Sequence, residues 1–471
     1  MLQAETSLGE GLCPTTNGKG SVVGFLGFFL QQFLSARDSA PSATQAQKKH
    51  VKPAGFGCYT LAQIAEHSTS DDCWLVVEGK VYDVSGWGHP GGDVIYSYAG
   101  RDATEAFNVL HKDQPRARAF MKVHLIGEVN EPNQSALLKD WNEMRIGFLQ
   151  QGLMDASPLY YVRKIVELAV MATASLYLNW AFPNSVPMVL LSAVLFACCM
   201  FQCGWTQHDF QHNQVFRSHK LNATVGNLVI GLGIGGSAHW WKNKHNQHHA
   251  TPNKVDDNGK PVDPDIDTIP LLAWSEDLMK QVNTTDRGFI LMQHLLLWPL
   301  LFVALVNWQA QGIIHLLQSP NVPTSSRWIE MGLVMTHHFS VLALAFVPLG
   351  FKMGLMFWAV AHALAGFGIS FVFVQSHNAM EIYSEDKDFV TSQMVSTRNI
   401  NPGVIADWVM GGLNYQIEHH LFPTMPRHSF SRVRQPVMEF CARHGLPYES
   451  CSIWESTYKV YRQLAVVAKA A

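Results

Sequence analysis

The stretch His245-Asn246-Gln247-His248-His249, HNQHH, decides how the rest of the chain is interpreted. In a helix, His245, His248 and His249 stand at positions i, i+3 and i+4, so their imidazoles leave one face within a single turn. This spacing is typical of metal ligands. A single match of this kind also arises by chance, from histidines that only hydrogen-bond at the surface.

Two other stretches repeat the spacing. In HDFQH, His208 and His212 stand at i and i+4, and in QIEHH, Gln416, His419 and His420 stand at i, i+3 and i+4. Seven histidines and a glutamine exceed the roughly six ligands of one mononuclear centre, but they suit two adjacent metal ions. The three stretches together predict a paired metal centre.

Length and composition set the outer limits. A chain of 471 residues predicts two or three folded units. The net charge of -3, with 15% charged residues, gives no indication of a nucleic-acid partner. The 8 cysteines are scattered and form no disulfide framework, which favours the reducing side of a membrane for the polar parts.

Residues 1–55 are expected to form a tail and carry no helical or strand periodicity. Their apolar stretch Val22–Leu34 is too short to span a bilayer securely. A disordered or interfacial tail is the preferred interpretation. A plastid transit segment is the alternative, although Glu5, Glu10 and Asp38 weaken it because transit peptides are poor in acidic residues.

Residues 56–130 have the pattern of a small soluble domain. Two β-rich runs, Trp74–Val77 and Lys80–Val84, are separated by Glu78 and Gly79 and predict a hairpin. The following HPGG sequence, His89–Gly92, lets the backbone approach a flat ligand because its glycines carry no side chains.

A helical apolar face follows and ends at His111. Two histidines beside apolar helices can hold a haem iron from both sides, and such an iron transfers electrons and does not bind oxygen. His124 is a competing second ligand, although the adjoining Ile126–Val129 predicts a terminal strand at that point.

The motif DVSGWGHPGG, followed by AGRDATEAF, resembles the cytochrome b5 family, and the resemblance covers residues 56–130. It implies a small α+β domain that binds haem b with His89 and His111 as the axial ligands.

Residues 131–160 are polar with embedded apolar positions and predict an amphipathic linker helix. Periodicity alone leaves two arrangements open. The helix either lies on the membrane surface or packs on the catalytic domain.

Two apolar hairpins follow. Ile165–Phe182 and Val186–Cys203 form the first, and Trp328–Leu349 and Met353–Gln375 form the second. Each run is about long enough to cross a hydrocarbon layer of roughly 30 Å. Four such spans place all three histidine stretches on one face of the membrane.

Charges at the ends of the first hairpin orient the domain. Arg163 and Lys164 precede it and Arg217 and Lys220 follow it, so the positive-inside rule predicts that the histidine-rich face is cytosolic. Two further apolar stretches, 225–238 and 289–308, are expected not to cross the membrane. The first is too short. If the second crossed alone, the third histidine stretch would lie on the opposite face from the other two.

The combination of HDFQH, HNQHH and QIEHH resembles the front-end group of membrane fatty acid desaturases, which carry an N-terminal cytochrome b5 domain. Gln416 stands where other desaturases have histidine, and Asn213 departs from the HDxxHH form of the first motif. The resemblance implies an all-α membrane desaturase domain over residues 161–450, with a C-terminal tail at 451–471. It also implies two non-haem irons with these metal ligands: His208, His212, His245, His248, His249, His377, His419 and His420. The catalytic set is the same histidines without His377, together with Gln416.

The resemblance further implies an O2-dependent enzyme that places a cis double bond between an existing one and the carboxyl end of a fatty acyl chain. Position delta-6 is preferred, and delta-4, delta-5 and delta-8 stay open. The expected partners are an NADH-dependent reductase of the haem domain and an acyl lipid or acyl-CoA. The endoplasmic reticulum is preferred as the location, with the plastid envelope as the alternative.

Two competing functions remain at this point. The nearer is a sphingoid-base desaturase or a lipid hydroxylase with the same iron ligands, and the remoter is a non-catalytic membrane haem electron carrier. Among the other polar residues, His337 and His338 are expected to make internal hydrogen bonds. His362 is expected to lie too far from His377 along the same helix to join the metal centre. Asp209 and Glu418 are expected to orient neighbouring imidazoles, with His239 as a further outer contact.

Overall fold

A computed structural model of the protein describes residues 55–112, 114–130 and 135–471. The tail expected at residues 1–55 lies outside this range except for Gly55.

The first folded region is a five-stranded sheet with helices on it. Its spatial strand order is β1-β5-β4-β3-β2, and β1 runs parallel to β5 while the other neighbours are antiparallel. The strands are β1 Gly57–Tyr59, β2 Ser68–Thr69, β3 Asp72–Val77, β4 Lys80–Asp83 and β5 Leu125–Val129. The helices are α1 Leu61–Ala65, α2 Thr104–Leu110 and α3 Gln114–Met121, with short 3-10 turns at Asp93–Tyr98 and Lys122–His124.

The predicted hairpin is confirmed. Val77 of β3 pairs with Lys80 of β4, so only Glu78 and Gly79 form the turn. Both turn residues have positive φ, 54° and 72°. Two consecutive left-handed residues make the turn whose twist matches that of the flanking strands. The terminal strand predicted after His124 is confirmed as β5.

The second region is helical. Its elements are α4 Ala136–Gln150, α5 Pro158–Ala181, α6 Val186–Gln211, α7 His219–Leu228, a π-helical turn Val229–Ile234, α8 Ala238–Ala250, α9 Glu276–Lys280, α10 Arg287–Leu291, α11 Gln293–Gln318, α12 Thr324–His377, α13 Phe389–Val395, α14 Val404–Val409, α15 Gln416–Leu421, α16 Phe430–His444 and α17 Ile453–Ala470. A 3-10 turn at Arg427–Ser429 and a short parallel pair, β6 Asn399–Ile400 with β7 Ser450–Cys451, complete it.

Both apolar hairpins are present. α5 and α6 form the first, separated by four residues. α12 is two helices joined at Gly350, which has φ 64° and non-helical backbone. The chain reverses there, and the two arms lie close together. A Cβ on Gly354 would lie only 2.8 Å from the carbonyl oxygen of Ala345.

Three helices in the described part of the chain are long and apolar enough to cross a membrane: α6, α11 and α12. A fourth is reached if α7 with its π turn and α8, which meet at a bend of 108°, count as one broken span. α5 is not among them, since Glu167 and Asn179 lower its hydropathy. α11, expected not to cross, satisfies the length and composition of a span.

The linker helix α4 packs on protein. Trp141 is fully buried and stacks on Phe422 with 6.0 Å between ring centroids, and Phe148 lies edge-on to the same ring. The structure therefore shows the arrangement in which the helix packs on the catalytic domain. The C-terminal segment is likewise a packed helix and not a tail, with Val460 and Leu464 buried.

A buried ion pair joins the end of the first hairpin to the C-terminal part. Arg427 Nε donates to Asp209 Oδ2 at 2.5 Å, and both side chains are almost fully buried. Arg427→Met should destabilise the fold by about 3–5 kcal/mol, because Asp209 would remain charged and unpaired in the interior. The thermal unfolding midpoint in detergent measures this.

The matched control is Arg443→Met, which removes a half-exposed partner of Asp140. A pair of this kind contributes about 0–1 kcal/mol. Equal shifts of the midpoint in the two variants would argue against a structural role for the buried pair.

Candidate active site

Five of the predicted histidines converge although they come from three separate stretches. One ring nitrogen from each lies within 4.8 Å of every other. This first cluster consists of His208, His212, His245, His249 and His419. All five side chains are half-buried or buried.

The closest contacts within the first cluster join ring nitrogens. His245 Nε2 lies 2.9 Å from His212 Nε2 and 3.1 Å from His249 Nε2, and His249 Nε2 lies 3.1 Å from His419 Nε2. Several imidazole nitrogens pointing at one another cannot all be satisfied by shared protons, because a neutral ring carries only one. A metal ion bound among them would satisfy the lone pairs.

Helix α8 presents the HNQHH stretch and is fixed at its start. Ser237 caps the helix by accepting a hydrogen bond from the Trp240 amide. The buried carboxylate of Glu330, on α12, accepts from the Ser237 hydroxyl at 2.7 Å and also contacts His239 Nδ1. His239 therefore pairs with Glu330 and does not contact the clusters.

The second cluster consists of His248, His377 and His420. In each ring Nδ1 faces an oxygen: Asp263 at 3.0 Å, the Ser396 carbonyl at 3.1 Å and Gln393 Oε1 at 2.8 Å, respectively. These acceptors favour the tautomer with a proton on Nδ1, which leaves the Nε2 lone pair free for a metal. His377, expected only from the resemblance, lies within the cluster.

Gln416 lies beside the second cluster. Its amide nitrogen is 3.0 Å from His377 Nε2, and its Oε1 is buried without a hydrogen-bond partner. The structure thus brings the eight predicted residues of the histidine stretches together with His377 in one site.

The residues fit metal ions in two further respects. His208 Nε2 and His420 Nε2 are buried nitrogens without any hydrogen-bond partner, which is costly unless a ligand is present. Burial, followed by the proximity of other imidazoles, holds the pKa of His419 and of His420 well below the usual value. Both rings are therefore neutral near pH 7, which is the form that binds a metal.

The two acidic residues expected to orient imidazoles behave differently. Glu418 accepts from Asn399 and Tyr448 and not from an imidazole, so that expectation is wrong. Asp209 is 3.9 Å from His208 Nδ1, and its short contact is to Arg427. The carboxylate that closely contacts an imidazole of the clusters is Asp263, in the acidic loop after HNQHH. The only sequence signal for it was the acidic character of that loop.

Asp263→Asn should weaken metal binding at the second cluster by about 10–100-fold, as loss of an outer carboxylate typically does. Asp263 is fully buried, and it contacts His248 Nδ1 through both oxygens. Retention of metal during a chelator titration measures the affinity.

Asp265→Asn is the matched control, because Asp265 lies 3.6 Å from the same nitrogen and its side chain is 47% exposed. Metal loss in this variant equal to that in Asp263→Asn would contradict the assignment.

A separate pair of histidines lies in the first folded region. The rings of His89 and His111 have centroids 6.0 Å apart. Nδ1 of His111 faces the Phe107 carbonyl at 3.1 Å, and Nδ1 of His89 faces the Gly91 amide at 3.1 Å. Burial lowers the pKa of His89, and burial together with His89 lowers that of His111 to about 4, so both rings are neutral.

The HPGG loop accommodates the His89 ring as predicted. A Cβ on Gly91 would lie 2.7 Å from His89 Cε1, and Gly92 has φ 86°. Both positions therefore require glycine. The competing ligand His124 lies elsewhere, with Nδ1 3.0 Å from the Asp83 carbonyl. The pair His89 and His111 thus fits a haem held between them.

A cavity adjoins the first cluster. Its volume is about 50 Å³. His208 lines one part, and most of the rest is apolar, including Ile230, Leu305, Ile369 and Phe373. This mostly apolar lining therefore lies next to a histidine of the first cluster.

His337 in the second hairpin makes an internal hydrogen bond, as predicted, and His362 makes one as well. His337 Nδ1 is 2.8 Å from the Leu232 carbonyl, and His362 Nδ1 is 2.9 Å from the Trp358 carbonyl.

Comparison with known families agrees with this geometry. Residues 184–452 match the fatty acid desaturase family. Residues 60–130 match the cytochrome b5-like heme/steroid binding domain.

Individual relatives cover most of the chain. An acyl-lipid (9-3)-desaturase of Physcomitrium patens is 43% identical over 443 residues, 93% of this chain and 83% of that protein. Fatty acid desaturase 3 of Bos taurus is 32% identical, covering 82% and 88%. The delta(8)-fatty-acid desaturase of Euglena gracilis is 34% identical, covering 83% and 94%. The chain therefore belongs to the fatty acid desaturase family, as an oxidoreductase whose desaturase region follows a cytochrome b5-like domain.

Proposed function

We propose that the protein is a front-end desaturase that introduces a cis double bond between an existing double bond and the carboxyl end of a polyunsaturated fatty acyl chain, at delta-6. The observation that carries the proposal is the convergence of two histidine clusters beside an apolar cavity.

The histidines of the first cluster would hold one iron, and His248, His377 and His420 the other, with Gln416 adjacent to His377. Bound there, the iron pair supplies O2-dependent oxidation. One O2, two electrons and two protons combine with two hydrogens taken from adjacent methylenes to give a double bond and two waters. The chain's own part is to present the imidazoles, to orient His248, His377 and His420 through Asp263, the Ser396 carbonyl and Gln393, and to exclude water.

The cavity supports an acyl substrate. An alkyl chain in it is held by apolar side chains, and His208 marks the point where the chain approaches the clusters. Fixing the chain at one depth determines which methylenes are oxidised. The name of the Physcomitrium patens relative supports an acyl lipid over acyl-CoA as the carrier, and the Euglena gracilis name keeps position delta-8 as an alternative.

Electrons are proposed to come from the haem domain, residues 56–130, after its reduction by an NADH-dependent reductase. His89 and His111 would hold the haem, which would supply one-electron transfer. Residues 131–160 link this domain to the desaturase domain at 161–450.

We further propose four membrane spans, formed by α5, α6 and the two arms of α12, with α11 lying along the membrane. Contacts at both ends of α11 support this. At its start Gln293 donates to the Leu464 carbonyl at 3.0 Å, and near its end Gly312 lies against Ser237, the cap of the HNQHH helix. The histidine face is then cytosolic by the charges flanking the first hairpin, in the endoplasmic reticulum or the plastid envelope.

Expression in a host without polyunsaturated lipids, with several unsaturated fatty acids supplied, tests the function. Mass spectrometry should locate a new delta-6 double bond in the acyl lipids. A hydroxyl product or a modified sphingoid base would instead favour the hydroxylase or the sphingoid-base desaturase. Haem reduction without any lipid oxidation would instead favour the non-catalytic electron carrier.

A further inference from the structure

The HNQHH helix has two faces with different neighbours. His245, His248 and His249 on one face belong to the two clusters, whereas Asn246 and Gln247 contact the haem domain. Asn246 Nδ2 donates to the Gly91 carbonyl at 3.3 Å, and Gln247 Nε2 donates to the Ser97 hydroxyl at 2.8 Å. The non-histidine residues of the motif thus bind the domain that carries the other iron.

The position of the Asn246 contact is informative on both sides. Gly91 is two residues from His89 and touches its ring, since a Cβ there would lie 2.7 Å from His89 Cε1. Asn246 is covalently adjacent to His245 of the first cluster. One hydrogen bond therefore separates the loop of a haem ligand from the residue next to a cluster histidine.

A second contact approaches from the other haem ligand. Lys112, which follows His111, donates to the Gln214 carbonyl at 3.0 Å, and Gln214 is two residues after His212. This link uses a long flexible side chain.

The docking between the two regions has an apolar centre. Ala106 and Val109 of α2 are buried in the same apolar cluster as Phe422, which follows the QIEHH motif. Thr424 donates to the Val109 carbonyl at 3.0 Å. Apolar packing thus holds the haem domain against the histidine-bearing part of the desaturase region, and the polar contacts fix its orientation.

We propose that electrons enter the desaturase region through the contact between Gly91 and Asn246, and that Asn246 is the positioning residue of this route. The inference rests on the proposed function, which makes the haem domain the donor. In each transfer the haem iron is oxidised from ferrous to ferric and one non-haem iron is reduced from ferric to ferrous. No covalent bond changes, and two transfers serve one double bond.

The test is the rate at which the reduced haem of the purified full-length protein is reoxidised on mixing with O2 and an acyl substrate. Asn246→Leu should slow this rate about fivefold, the equivalent of one lost hydrogen bond. The haem midpoint potential and the non-haem iron content should stay unchanged. A merely structural role for Asn246 would not slow the haem while both of these remain constant.

Asn321→Leu is the matched control. Asn321 also contacts the haem domain, through Asp93 at 3.5 Å, but it is remote in sequence from the histidine motifs. It should leave the rate unchanged. If Asn246→Leu loses iron, Asn246→Asp is used for the test instead. The Asp side chain has the size of Asn, but its carboxylate repels the Gly91 carbonyl, so the reoxidation rate should again fall.

Wild-type reoxidation in Asn246→Asp, equal slowing in the Asn321 variant, or slowing only in Lys112→Ala would each overturn the proposal. A small redox mediator that reduces all the irons directly distinguishes failure of the proposed electron route from failure of the proposed function. Wild-type protein that forms product with the mediator upholds the proposed function whatever the Asn246 variants do, whereas absence of product there contradicts the function itself.

Discussion

His249→Ala is expected to abolish desaturation while leaving the haem absorbance intact. His249 Nε2 lies 3.1 Å from the Nε2 atoms of both His245 and His419, so its removal opens the middle of the first cluster. Product should fall by more than about a hundredfold, since loss of outer-sphere partners alone costs roughly 10–100-fold. The haem is unaffected because His89 and His111 belong to the other domain. Product per haem, measured in the same preparation, gives the result.

His362→Ala is the matched control for this loss. His362 is equally buried, 2% exposed, but it donates to the Trp358 carbonyl and lies in neither cluster. This variant should be less stable and should retain product formation per folded protein. Full activity in His249→Ala, or the same loss in both variants, would contradict the ligand assignment.

The second large effect is expected for His89→Ala, which should bring haem content close to background and stop desaturation driven by the reductase. His89 is buried against Gly91, and it faces His111 across the 6.0 Å between their ring centroids. A haem iron that loses one of two axial imidazoles also loses the coordination suited to electron transfer. Non-haem iron should remain, and absorbance spectra with iron analysis separate the two pools.

His124→Ala distinguishes the two candidate axial ligands. His124 packs on Trp87 at 4.5 Å between ring centroids and faces the Asp83 carbonyl. Its replacement should leave haem content near that of the wild type. Haem loss in His124→Ala with haem retained in His111→Ala would reverse the assignment of the second ligand.

Local spacing explains what the sequence predicted well. The hairpin turn at Glu78 and Gly79, the HPGG loop and the helical spacing of HNQHH each depend on a few adjacent residues. Their geometry follows from turn chemistry and helix periodicity, without knowledge of the tertiary fold. The convergence of the three histidine stretches was predicted from two apolar hairpins, and both hairpins are present in the structure.

Long-range partners explain what the sequence did not reveal. Asp263, Gln393 and the Ser396 carbonyl each hold one imidazole of the second cluster, and two of these contacts span 15 and 27 residues without a local motif. Glu418 lies next to His419 in sequence, yet its helix turns it toward Asn399. Adjacency along a helix is not contact, since neighbouring side chains point in different directions.

The linker helix illustrates a different limit. The spacing of Trp141 and Phe148 describes one apolar face, and that face suits a membrane surface or a protein core equally well. Only the position of Phe422, far along the chain, decides between them.

The paired metal centre is tested most directly by the iron content of the purified full-length protein. Total iron, haem iron and non-haem iron per chain should be in the ratio three to one to two, corresponding to one haem site and the two histidine clusters. A preparation with full haem and no non-haem iron, even after anaerobic reconstitution with ferrous iron, would contradict the account.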